Sequence, residues 1–139
     1  MSDTENALVL AGRVLMAVIF IIGGWSNIVG MAAVQAMYAQ KFGLPMPEMA
    51  WVLATVVELG GGLALLFGLF TRPVAAVLAV WCILTALIAH SNLADPGQKW
   101  NFLKNVAMSG GFLYVIAFGA RAWSIDAWRA ARRGVAVTA

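Results

Sequence analysis

Charge is scarce in this chain. Only 11% of its 139 residues are Asp, Glu, Lys or Arg, less than half the roughly 25% of soluble domains. Water is the wrong solvent for such a composition, 63% of which is hydrophobic. Cysteine is scarcer still. The single Cys82 excludes an internal disulfide framework and a CxxC pair, so the chain cannot cycle a thiol pair alone. The single histidine, His90, has no Cys/His companions and gives no metal site. A phosphate-cradling glycine loop after a strand, an HExxH pair and a hydrolase elbow are all missing. Nucleotide hydrolysis, zinc peptidase and acyl-transfer chemistry fall away with them, leaving no self-contained catalytic motif.

What is there is a set of long apolar runs, each near the roughly 20 residues a spanning helix needs. They cover about 7–29, 49–70, 74–92 and 101–120, joined by short connections with no room for a second domain. The expectation is an all-α polytopic membrane protein, a single domain over 1–139, built as a four-transmembrane-helix up-down-up-down bundle. Between the first two runs, residues 31–42 place Met31, Val34, Tyr38 and Phe42 on one face. That reads as a short amphipathic helix lying on the surface or capping the bundle, ended by Gly43-Leu44-Pro45-Met46-Pro47.

The first run begins after Asp3 and Glu5, where a secretory signal would be basic, and is kept as a spanning helix capped at Asp3 or Thr4. Arg72, Arg121, Arg129, Arg132 and Arg133 fall at one end of such a bundle, and Lys41 and Lys99 at the other. The bias places both termini in the cytoplasm, with 121–139 as a basic tail meeting anionic headgroups. The net charge of +3 therefore marks topology, not nucleic-acid binding.

The centre of the sequence is Glu58-Leu59-Gly60-Gly61-Gly62. A carboxylate near a bilayer midplane costs at least about 2.5 kcal/mol on insertion scales and needs a partner or a proton. Gly61 and Gly62 share its helical face, and Gly60, Ala64 and Gly68 make a second row on which another helix can lie. Helical rise puts Glu58 about 15 Å below its outer end and about 9 Å from the level of Arg13, so Arg13 is the expected ion-pair partner. His90 and Lys104 lie toward the outer side, and Asn101, Asn105 and Ser109 form a polar stripe on the fourth helix. Two readings stand for these groups. They neutralise one another and fix helix packing, or they bind or relay something within the membrane. In the second, Glu58 and Arg13 exchange and control a proton. The candidate ligand-binding residues are then His90, Lys104, Asn105, Asn27, Trp25 and Asn101.

Several pieces in order carry a family resemblance: Arg13, Gly24-Trp25-Ser26-Asn27, Phe42-Gly43-Leu44-Pro45-Met46-Pro47, Val57-Glu58-Leu59-Gly60-Gly61-Gly62 and Leu69-Phe70-Thr71-Arg72-Pro73. His90, Lys104-Asn105, Gly110-Gly111 and Arg121-Ala122-Trp123-Ser124-Ile125-Asp126 follow them. Together, over about Ala11 to Asp126, the chain resembles the DoxX family of small four-helix bacterial inner-membrane proteins. The resemblance implies that architecture and a link to redox systems. Relatives include the membrane subunit of a thiosulfate:quinone oxidoreductase, a methylamine-utilisation protein and a DoxX associated with oxidative-stress enzymes, while the wider superfamily holds assembly chaperones. Family members often carry a lysine where this chain has Asn27, which hydrogen-bonds without supplying charge. The expectation drawn from all this is a protein that binds a quinone or similar lipophilic molecule as the membrane partner of an oxidoreductase. The alternatives are a non-catalytic scaffold or assembly factor and a proton-coupled transporter. The glycine rows serve either internal packing or a homo-oligomer.

Overall fold

The structure, a computed structural model, describes residues 2–134. Met1 and the last five residues of the expected basic tail, 135–139, lie outside the described residues. All regular structure among the described residues is helical: α1 (Asp3–Val29), α2 (Met31–Gln40), α3 (Pro47–Thr55), a π-helical turn (Val56–Gly60), α4 (Gly61–Phe67), α5 (Thr71–Ala89), α6 (Pro96–Phe118) and α7 (Ile125–Arg132). The helix ends follow local chemistry. Ser2, not Asp3 or Thr4, caps α1: its hydroxyl accepts from the Glu5 amide while the Glu5 carboxylate accepts from the Ser2 amide. Asp95 caps α6, accepting from the amides of Gly97 and Gln98, with Pro96 in the first turn.

Three helices are long and apolar enough to cross a membrane: α1, the continuous Pro47–Phe67 helix made by α3, the π turn and α4, and α5. The fourth, α6, has 23 residues but spends its first turns on Gln98, Lys99, Asn101, Lys104 and Asn105. That polar stretch dilutes its hydropathy below a spanning helix.

Packing centres on Ala17, Phe20, Leu65, Ala75, Leu78, Ala79, Cys82 and Phe112. α1 lies against the π turn and α4, α5 against α4 and α6. Gly24 is pressed on the Leu59 backbone, and Gly62 on Phe20 and Ile21, while Gly61 receives Leu78. Small residues therefore let α1 and α5 approach this helix from two sides. Gly60 and Gly110 meet nothing, however, and Gly68 is pressed on Arg13, Ser124 and Ala120 instead of on α5. Its φ of 66° ends α4, with the Leu69 amide turning back to the Ala64 carbonyl; a left-handed residue here is what glycine permits. The second run therefore stops at Phe67, not 70. Toward α6, α1 offers side chains: Phe20 meets Phe112 in a tilted ring pair with centroids 5.6 Å apart, and Met16 reaches Gly111.

Two further expectations change. α2 is apolar nearly all round, with only Gln35 and Gln40 as polar residues. It has no wet face with which to float on a membrane surface, and it packs on α3. The expected tail, in contrast, contains the amphipathic helix α7, capped by Ser124 through the Ala127 amide. Arg129 and Arg132 fall on one side of α7 with Ile125 and Trp128 among them, and Ala127, Ala130 and Ala131 on the other, a segment too short to register as an apolar run.

Candidate functional site

Glu58 sits in the π turn, a local widening of the helix that often marks functional positions. Its carboxylate is fixed from two sides. Oε2 accepts from the Asn27 side-chain amide at 2.9 Å on α1, and Oε1 accepts from the Trp81 indole N–H at 3.1 Å on α5. Asn27 is held in turn, its backbone carbonyl accepting from the Trp51 indole at 2.7 Å. Gly23 makes room: a Cβ there would stand 3.0 Å from Glu58 Oε2. One carboxylate thus joins three helices through neutral N–H donors.

Arg13 is elsewhere, which corrects the expected ion pair. Glu58 stands eleven residues into the helix that starts at Pro47, yet the Gly23 it faces is only six residues from the end of α1 at Val29. The N-terminal end of α3 therefore projects about 7 Å past the C-terminal end of α1, and Arg13, ten residues before Gly23, is about 15 Å from the level of Glu58. Its guanidinium is 2% exposed and donates to the Trp123 carbonyl at 2.6 Å. Asp126 acts on it electrostatically. That same Asp126 accepts from the Phe70 amide at 2.9 Å and from the Thr71 amide and hydroxyl at 2.8 Å, closing the start of α5. Arg13 is thus part of a knot that ties α1, the α4–α5 turn and the C-terminal segment together.

Above Glu58 opens a cavity of about 640 Å³ walled by α1, α2, α3, α5 and α6. Six of the sequence-predicted residues lie on it: Glu58, Asn27, His90, Asn101, Lys104 and Asn105. Arg13 and Trp25 do not. Trp25 is 60% exposed and points away, because Gly24, its neighbour, takes the face toward Leu59. The remaining walls are mostly apolar, with Phe20, Leu53, Leu84, Ile88 and Met108 among them. Among the described residues no group of His, Cys, Asp and Glu could hold a metal ion.

The histidine's chemistry follows from its partner. His90 Nδ1 is 2.6 Å from Gln98 Oε1; an amide oxygen accepts, so Nδ1 donates in this pair and Nε2 is left as the ring nitrogen without a protein partner among the described residues. Sequence reasoning missed Trp81, Tyr38, Lys41 and Gln98. The signal for Trp81 was its place in the middle of a span, away from the interface where indoles usually rest, since a buried N–H requires an acceptor. Tyr38 and Lys41 enter because α2 is a wall of the cavity. Burial pushes the Tyr38 phenol above its ordinary range, and the Glu58 carboxylate adds to the effect.

Fold and site together define a helical membrane protein with a mostly apolar cavity and one braced carboxylate. The model of the DoxX family matches residues 8–91. The chain is 41% identical over 126 residues to the inner membrane protein YqjF of Escherichia coli, covering 91% of this chain and 95% of that one. It is 33% identical over 124 residues to the inner membrane protein YphA of the same organism, covering 86% and 88%. No solved structure matches. The chain belongs to the DoxX family and is, like these relatives, an inner-membrane protein.

Proposed function

We propose that this protein binds a quinone or another small lipophilic molecule with polar oxygen atoms in the cavity beside Glu58, as the membrane partner of an oxidoreductase system. The observation that carries the reading is the cavity itself. Its 640 Å³ falls in the range of about 300–1,000 Å³ usual for small-molecule sites, and it has the usual pattern of apolar walls with a few convergent polar groups. The polar set fits such a ligand: Lys104 and the amides of Asn101 and Asn105 donate to carbonyl oxygens, and His90 Nε2 is free to hydrogen-bond a carbonyl or hydroxyl oxygen. When bound, a quinone supplies the electron chemistry that the side chains lack. Glu58 is the group placed to take and return a proton at Oε1 or Oε2.

The testing experiment is a ligand inventory by mass spectrometry on protein purified in mild detergent. Wild type is expected to retain a quinone or similar lipid that Glu58→Gln loses. The substitution is close to neutral for the fold, because the new amide still accepts from Trp81 and can donate to Asn27 once that side chain turns over. An empty cavity in both proteins would end this reading. One observation favours a scaffold instead: the carboxylate braces three helices, and such a brace works without a ligand. On that reading Glu58→Gln changes partner retention and leaves the lipid extract unchanged.

In this proposal α6 completes a four-span up-down-up-down bundle. The support is its packing along α5, with Ser109 donating to the Ala79 carbonyl at one level and Gln98 meeting His90 at another. Both termini then face the cytoplasm, the side of Arg72, Arg121, Arg129, Arg132 and Arg133. A green fluorescent protein fused to the C-terminus is expected to fluoresce, and alkaline phosphatase at the same point to be inactive. The opposite pair of results would reverse the topology.

A further inference from the structure

The arginines after α6 do more than fill a tail. Arg129 lies over the Phe70 ring at 4.9 Å, Arg132 over Trp128 at 4.1 Å and Arg121 over Phe118 at 5.7 Å. Arg72 borders Gly119 at the same end. A guanidinium stacked on a ring has its flat face engaged and its N–H edge free for oxygen acceptors. No ion pair engages these arginines among the described residues. The acid of α7, Asp126, is consumed by the Phe70 and Thr71 groups it caps. Of the other acids at this end, Glu5 is bonded to Ser2 and acts on Arg121 only at a distance, and Asp3 is exposed in the first turn of α1.

The position of these groups matters as much as their charge. α7 is pinned by Asp126 and by its backbone amide to Gly68, beside the turn where α4 ends and α5 begins. Those helices cross the membrane, so α7 is fixed at the depth where acyl chains give way to headgroups. Its neighbours there, Phe70, Trp123 and Trp128, are 57%, 46% and 55% exposed, aromatic surface of the kind that rests at a bilayer interface. A helix with Arg129, Arg132 and Trp128 on one side and Ala127, Ala130 and Ala131 on the other lies in that plane.

We propose that α7 and the α4–α5 turn form a binding site for anionic phospholipid headgroups, with Arg129 and Arg132 taking the phosphate oxygens and Phe70 and Trp128 resting against the first acyl carbons. The site is independent of the cavity and of what the cavity holds. Phosphates are met best by guanidinium forks, and each basic group near such a surface adds to the attraction, which salt weakens.

The test uses the full chain in mild neutral detergent, with thermal unfolding followed as phosphatidylglycerol, phosphatidylcholine or inorganic phosphate is added. Phosphatidylglycerol is expected to raise the unfolding temperature by several degrees at low salt and much less at high salt, with phosphatidylcholine and inorganic phosphate giving little change. In the double variant R129Q/R132Q the phosphatidylglycerol response is lost, while R129K/R132K keeps most of it because the charges remain. An equal response to both lipids overturns the proposal, as does an equal response to inorganic phosphate or an undiminished response in R129Q/R132Q. The lipid comparison needs only wild type, so it decides the matter even if a variant fails to fold.

Discussion

Gly24→Ala unfolds in detergent well below wild type, by about 1–3 kcal/mol of stability, and releases whatever the cavity holds. A Cβ at this position runs into the backbone nitrogen and the side chain of Leu59, and backbone cannot swing aside as the end of a flexible side chain can. Overpacking of this kind costs about 1–3 kcal/mol. The gain from replacing a helical glycine by alanine, about 1 kcal/mol at most, does not offset it. The helices must part, and Glu58, the residue before Leu59, moves away from Asn27 with them. Gly110→Ala is the control. Nothing lies within 4 Å of its Cβ, so only the propensity gain operates and stability is unchanged or slightly higher. Equal behaviour of the two alanine variants in a thermal melt would mean that α1 does not press on the π turn.

Asp126→Ala is expected to lose about 3 kcal/mol and to expose the chain after Arg129 and Arg132 to trypsin. Three hydrogen bonds disappear at once: those from the Phe70 amide, the Thr71 amide and the Thr71 hydroxyl. Loss of a cap alone costs about 1 kcal/mol, and a buried hydrogen bond to a charged group is worth about 1.5–3 kcal/mol. Thr71 is 1% exposed, so water cannot replace what is lost there. Arg13 suffers as well, since its Nε and Nη1 have no hydrogen-bond partner and Asp126 is the anion acting on it. Asp126→Asn, which keeps an acceptor, recovers part of the loss. An alanine variant as stable and as trypsin-resistant as wild type would show that α7 is not held by this carboxylate.

Three of the four expected spanning helices were legible because hydropathy acts over twenty residues at a time and needs no partner to be recognised. The weight placed on Glu58 was legible for a related reason: a carboxylate in an apolar run is costly wherever it points. Its partner was not. Counting depth from the helix ends assumes that the ends are level, and α1 stops well short of α3. Which groups meet across two helices is a property of that offset, and the offset is set by the path of α2, whose ten residues carry little pattern of their own. Trp81 and Asn27 became donors to Glu58, while Arg13 belonged with Trp123 and Asp126 at the far end. The site was thus readable as a list of polar residues and only partly as a geometry. His90, Asn101, Lys104 and Asn105 share the cavity because α5 and α6 form a hairpin, an arrangement that the Asp95-Pro96-Gly97 turn already announces.

The π turn at Val56–Gly60 divides one rod into two that are out of phase. In an uninterrupted α-helix, each residue added or removed rotates everything beyond it by about 100°. The wide turn absorbs one such step. Within it Glu58 is turned to meet Asn27 and Trp81; below it the phase suits Gly62 against α1 and Leu65 in the core. A single-residue deletion that smoothed the turn would keep every side chain in the chain's inventory and still force a choice between the two halves. The irregularity works as a vernier, letting chemistry and packing be tuned on one helix without either dictating the other.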